Sequence, residues 1–342
     1  MSGGTRSNQS KTMHWTVKVD GGPRRVNHAA VELNGFIYSF GGFCSGEHHD
    51  GKIALDIHVL DTETYRWRKL QTRNEESMGS ELSLGRELSV IPYQRYGHTV
   101  VAYQGKAYLW GGRNDTYGTS SKMHVFDPET CTWSLLDRVG QCPPARDGHS
   151  AVVYEDKMFI FGGFEDETQR FSQETYAFDF KTLQWTEIRA TVTFISHFCF
   201  FVIFSGSPPL WRDFHTACVL DSKMYIFGGR SDQLGQFHSS RDFYCKRLKV
   251  LDLKKFEWQE PNASGDCPWG RRSHSAWAYN GRMYIFGGYI GTSKVHLGDL
   301  YEFDPTKCRW RLLTPFGDGP SPRRRHCTVL VNDRLFLFGG TM

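Results

Sequence analysis

Several features that would dictate a function are scarce in this sequence. Charge of one sign is scarce: 41 Lys and Arg stand against 37 Asp and Glu, and a formal net charge of +4 over 342 residues is too mild to demand a nucleic-acid partner. Long apolar runs are scarce as well. The most apolar stretch, residues 192–205, falls short of the roughly twenty residues a spanning helix needs, so no membrane partner is expected. The nine cysteines are odd in number and lack paired metal-ligand spacing, which argues against a disulfide framework and against a structural metal. With no secretory signal at the start of the sequence, they read as reduced thiols, and a cytoplasmic and nuclear location is expected. No Ser/His/Asp order stands out, so no catalytic residue and no cofactor are expected.

What is abundant is glycine (35), phenylalanine (25) and tryptophan (10), and these residues recur in step. Six times a histidine is followed thirteen residues later by a Gly-Gly pair: His28/Gly41, His98/Gly111, His149/Gly162, His215/Gly228, His274/Gly287 and His326/Gly339. Between those anchors apolar residues alternate, pause at a polar turn and resume, which is a β-hairpin pattern. A third apolar run closes on Asp61, Asp127, Asp179, Asp252 or Asp304, and six residues beyond each stands Trp67, Trp133, Trp185, Trp258 or Trp310. Four short strands per copy cannot bury both faces of their own sheet, so neighbouring sheets must pack face to face around an axis. Glycines let the strands crowd there, and each Trp supplies apolar area between sheets, with roughly 3–5 kcal/mol lost on truncation if it is buried.

The Gly-Gly and Trp signature, at a period near fifty, resembles the kelch repeat, whose copies form the blades of a β-propeller. The resemblance predicts an all-β, six-bladed propeller over residues 15–342, with residues 1–14 disordered. The last blade is expected to be incomplete, because the sequence given stops at Met342 without a third strand, and to be closed by an N-terminal strand around Trp15. One spacing departs from the rest. Trp133 to His149, Trp258 to His274 and Trp310 to His326 are all sixteen residues, yet Trp185 to His215 is thirty; removing residues 192–205 restores sixteen. A valine at the start, a serine at the end and a run of residues with T-rich codons between them fit a retained intron. A membrane or partner-binding segment is the rival reading.

In a hairpin the residues entering the first strand and those leaving the second share one end, so positions just before each His and just after each Gly-Gly define one face. Arginine stands three residues before every His (Arg25, Arg95, Arg146, Arg212, Arg271, Arg323), and six-fold repetition points to blade geometry rather than to a ligand. The same holds for the histidines, which lack the two-plus-one grouping of a metal site. Positions that differ between blades carry the candidate site. Arg230, Arg272, Ser273, Arg324 and Arg325 come from neighbouring blades and should make one side of the mouth cationic; Asp147, Glu165, Asp166 and Glu167, with Phe164 among the differing positions beside them, should oppose it. Such a funnel suits a short peptide with a carboxylate at one end and a basic side chain near it, since arginine grips carboxylates through paired hydrogen bonds.

The stretches around Arg24, Arg113, Arg212, Arg230, His238 and Arg271 are also similar to kelch proteins that act as substrate receptors of cullin-2 ubiquitin ligases. That resemblance implies recognition of free protein C-termini ending in glycine. It implies that an Arg directly after Gly-Gly and a Ser just before a blade's His hold the terminal carboxylate, which places Arg230 and, displaced by one residue, Ser273 with Arg272 in those roles. It further implies a preference for a basic residue or glutamine before the final glycine, with Asp147, Asp213, Glu165 and Asp166 as its natural partners. In that family a small-Leu-x-x-x-Cys box after the propeller binds elongin B/C and so cullin-2; none precedes Met342, so ligase assembly is expected only of a form that carries one. The alternative is a non-catalytic scaffold for protein or chromatin interaction. Copper-oxidase kelch propellers need converging histidines, which repeated ones do not supply.

Overall fold

The structure, a computed structural model, describes residues 13–18, 21–44, 53–73, 90–137, 139–190, 202–204 and 206–342. It is all-β, and its sheets are arranged as a propeller. The first blade runs Ala29–Leu33, Phe36–Phe40, Ile57–Asp61 and Trp67–Leu70 in an unbroken antiparallel order. The next four blades repeat it from Tyr96–Tyr103, Ser150–Tyr154, Thr216–Leu220 and Ser275–Tyr279. Inside each blade the second strand is covered on both faces. In the third blade Met158, Phe159, Ile160 and Phe161 are all at most 2% exposed, which is why this strand reads as a continuous apolar run rather than as alternation.

The core is a set of slabs between blades. Val152, Phe159 and Phe161 of the third blade pack with Met224, Ile226, Leu251 and Trp258 of the fourth. Each tryptophan lies against the residue that immediately precedes Gly-Gly in the previous blade. Trp133 meets Phe40 at 5.8 Å, Trp185 meets Trp110 at 5.6 Å, Trp258 meets Phe161 at 5.6 Å, Trp310 meets Phe227 at 5.4 Å and Trp67 meets Phe338 at 5.0 Å, centroid to centroid. Trp67 is half-buried and the other four are buried. The glycines are required by this crowding. A Cβ on Gly228 would sit 2.4 Å from the carbonyl oxygen of Arg271 and 2.6 Å from His274 of the next blade, at a φ of +70° that other residues rarely adopt.

Five blades are complete sheets rather than six. The sixth station holds the hairpin Arg324–Val331 and Arg334–Thr341, with no third strand among the described residues. Its outer position is filled from the other end of the chain. Trp15 packs on Phe286 at 5.6 Å, the residue before Gly287, and the Trp15 N–H donates to the Phe316 carbonyl at 2.7 Å. The described chain already includes Met13, whose carbonyl accepts from the Phe316 N–H at 3.0 Å, so the ordered segment begins before residue 15; residues 1–12 lie outside the described residues. Of the anomalous 192–205 segment, Val202–Phe204 adds a parallel strand to Gln184–Ala190, and the remainder lies outside the described residues. No helix of the described residues is long and apolar enough to cross a membrane.

Candidate functional site

The residue before each blade histidine forms a ring around the axis. Asn27, Gly97, Gly148, Phe214, Ser273 and Arg325 all have φ between 49° and 67°. Each donates its N–H to the carbonyl of the equivalent residue one blade back: Gly97 to Asn27 (2.9 Å), Gly148 to Gly97 (2.9 Å), Phe214 to Gly148 (2.7 Å), Ser273 to Phe214 (2.8 Å), Arg325 to Ser273 (2.9 Å) and Asn27 to Arg325 (3.1 Å). The circle is therefore closed through the incomplete blade as well. Left-handed backbone at Asn27, Phe214, Ser273 and Arg325 is unfavourable for residues with a Cβ, and these ring bonds hold it. The ring encloses a cavity of about 120 Å³, lined by its six members and by the six histidines beneath them.

Those histidines are structural. Four bond through Nε2 to the hydroxyl that follows the previous blade's His: Thr99 with His149, Ser150 with His215, Thr216 with His274 and Ser275 with His326, at 2.7 to 2.9 Å. His98 turns instead to the Phe40 carbonyl at 3.1 Å, because Ala29 stands where the hydroxyl would be. Burial, aided by the adjacent buried arginines, holds all six rings neutral, with His28, His98, His215 and His326 pushed down to about 3 and His149 and His274 well below the ordinary imidazole value. The six repeated arginines are structural too: Arg95, Arg146, Arg212, Arg271 and Arg323 each donate through Nη1 to the first Gly-Gly carbonyl of their own blade at 2.8 to 3.2 Å, and Arg25 pairs with Asp56.

Above the ring, the hairpin register brings together the positions that the sequence singles out. Backbone pairs join Asp147 to Phe164, Asp213 to Arg230 and Arg272 to Tyr289, and Tyr96 stands opposite Arg113. In the sector of blades two to four, charges are matched. Arg230 grips the fully buried Asp213 through both oxygens, Nε to Oδ1 at 3.1 Å and Nη2 to Oδ2 at 2.5 Å. Burial works against the charge on Arg230 and Asp213 more than offsets it, so the guanidinium is held above its ordinary range. Arg113 donates to Asp166 at 2.9 Å. Glu165 is buried between Arg146 (2.8 Å) and Arg170 (2.7 Å), which makes it part of the blade's internal ion cluster rather than of the open mouth. Phe164 is buried against Phe171 at 5.1 Å. The expected acidic half is thus largely self-neutralised, because carboxylates this deep must find a cation.

The opposite sector is unmatched. Among the described residues no carboxylate lies within ion-pair distance of Arg272, Arg324 or Arg325. Their Nε atoms and the Ser273 hydroxyl are buried without a hydrogen-bond partner. Ser273 and Arg325 are consecutive members of the ring, and Arg272 and Arg324 directly precede them. Tyr289 lies beneath both of the latter, 4.0 Å from the Arg324 guanidinium carbon and 5.5 Å from that of Arg272. Burial first, then the positive charges of Arg324 and Arg272, pull Arg325 below its ordinary pKa, and Arg230 adds to the effect. Concentrated positive charge around a small cavity, with donors left open, is an anion receptor. Arg230 borders it as a neutral pair with Asp213 rather than as an open cation. Tyr244 and Asp242, bonded at 2.8 Å, also belong to this rim: both lie close enough to Arg230 to act on it, and the charge of Arg272 reaches Tyr244. They escape a sequence reading because they lie on the long fourth-blade excursion between Arg230–Asp232 and Asp242–Tyr244, outside the repeat.

Comparison with known proteins agrees with this architecture. Residues 97–340 match the KLHDC2/KLHL20/DRC7 Kelch-repeats domain, and residues 24–72 match the Kelch motif. The chain is 43% identical over 329 residues to Kelch domain-containing protein 3 of Homo sapiens and to that of Bos taurus, covering 96% of this chain and 81% of each relative. It is 30% identical over 337 residues to Acyl-CoA-binding domain-containing protein 4 of Arabidopsis thaliana, covering 95% of this chain and 45% of that protein.

Proposed function

Since the chain belongs to the kelch-repeat family, whose propellers serve as protein interaction scaffolds, we propose that its mouth receives the free C-terminus of another protein. One observation carries the reading: Arg272, Arg324 and Arg325 bring three guanidiniums and the Ser273 hydroxyl to one sector with no carboxylate among the described residues to satisfy them. A terminal carboxylate supplies the missing acceptors. Guanidinium forks match its two oxygens, and the hydroxyl adds a third donor. The cavity of about 120 Å³, flanked across the axis by Gly97 and Gly148, favours a last residue without a side chain, which is glycine. A basic or glutamine side chain just before it would face Asp147.

Such a module selects and does no bond chemistry itself. We propose further that it serves as the substrate-choosing subunit of a cullin-2 ubiquitin ligase, acting in cytoplasm and nucleus, with the elongin B/C contact supplied by sequence beyond the propeller. The test is binding of a fluorescent peptide ending in Arg-Gly, prepared as free acid and as C-terminal amide. The acid is expected to bind at least tenfold more tightly. Equal affinity would remove the carboxylate from the interaction and leave a scaffold whose partners dock elsewhere.

A further inference from the structure

The matched sector holds more carboxyl groups than guanidiniums to pair them. Four carboxyl groups, Asp115, Asp147, Asp166 and Asp213, meet two guanidiniums there. Arg113 is engaged by Asp166 at 2.9 Å and lies 3.7 Å from Asp115, while Arg230 is engaged by both oxygens of Asp213. Asp147 is left over: it is 5% exposed, and its Oδ1 is buried without a hydrogen-bond donor. At the ring position of the neighbouring blade stands Gly97, where a Cβ would lie only 3.1 Å from Asp147 Oδ2. Directly after it comes Gly148, a member of the ring that lines the cavity.

We propose that Asp147 carries a proton in the free protein and releases it when a cationic group of a ligand enters the mouth, so that binding of C-termini with an adjacent positive charge is proton-linked. This rests on the carboxylate reading above. In the step the carboxyl O–H bond breaks, the proton leaves to solvent, and the freed carboxylate oxygen accepts an N–H from the ligand's guanidinium or ammonium. The charged and titratable groups facing Asp147 are Asp213, Arg113, Arg230, Asp166 and Tyr96. Burial and then the Asp213 carboxylate raise Asp147 to about 7, with Arg113 and Arg230 opposing. A ligand cation reverses the balance by giving the carboxylate a partner that it lacks among the described residues.

The experiment uses N-acetylated peptides, as free acids, ending in Arg-Gly and in Ala-Gly, neither of which titrates between pH 5.5 and 8.5. Affinity for the Arg-Gly peptide is expected to rise by up to about tenfold per pH unit toward pH 7 and to level off above it. Calorimetry at pH 6 in two buffers of different ionisation enthalpy should count close to one proton released. The Ala-Gly peptide should show neither effect, and Asp147→Asn should abolish both for Arg-Gly. Binding of Arg-Gly that is independent of pH and releases no proton would overturn this inference while leaving the carboxylate site intact. Failure of both free acids to bind would overturn the two together.

Discussion

The two sides of the propeller mouth differ less in how many arginines they hold than in what those arginines touch. Arg113 and Arg230 each meet an aspartate from their own or a neighbouring blade, and Arg230 is fixed by it at two points. Arg272, Arg324 and Arg325 meet a tyrosine face and one another. The first arrangement holds the blade together; the second is held in place by the blade and has no carboxylate partner among the described residues. A guanidinium's role in a repeat protein is therefore set by its counter-charge, and the same residue type is structural at one station and receptive at the next.

Removing the fork on the matched side should have the largest effect. Arg230→Ala leaves Asp213, which is 0% exposed, without its cation, and about 3–5 kcal/mol of stability should be lost in urea unfolding. Asp147→Asn should act in the opposite direction. A carboxyl whose folded value is raised to about 7 makes the protein lose stability as pH climbs from the unfolded value near 3.8 up to 7, with no further loss above. The variant removes that loss. Its advantage over the parent should thus be small at pH 4, grow to about 2–4 kcal/mol by pH 7 and stay constant at pH 8, as read from Tm or urea midpoints at each pH.

On the unmatched side the effect moves from stability to binding. Arg272→Ala and Arg325→Ala should each weaken a free-acid peptide by about 1.5–3 kcal/mol while changing unfolding by less than about 1 kcal/mol, because what is lost is a charge-assisted hydrogen bond to the ligand and a like-charge neighbour. A loss of stability as large as that of Arg230→Ala would erase the distinction between the sectors. Ser273→Ala should be the mildest, about 0.5–1.5 kcal/mol in peptide affinity, since it removes one neutral donor and keeps the backbone ring.

Much of this architecture is legible in the sequence because it is periodic. The His/Gly-Gly spacing, the Trp six residues after each acid and the repeated arginine report blade geometry, and a signal repeated five or six times survives local exceptions. The split of the mouth is only half legible. Asp213 and Arg230 stand seventeen residues apart, as do Arg272 and Tyr289, so the common hairpin register already sets each pair face to face. Glu165 misleads, because just past the Gly-Gly the chain turns it under Arg146 and Arg170 instead of into the opening. The surplus status of Asp147 is invisible until its neighbours' partners are known. It is a property of a charge count in space, not of a motif.

The most direct test of the unmatched sector is a thermodynamic cycle that pairs peptide amidation with Arg325→Ala, measured as affinities of the acid and amide forms of one Arg-Gly peptide for parent and variant. If the terminal carboxylate sits on this arginine, amidation should cost the parent at least about 1.5 kcal/mol and cost the variant much less, giving a coupling above about 1 kcal/mol. Purely additive losses, with amidation equally damaging to both proteins, would place the carboxylate elsewhere and contradict the account.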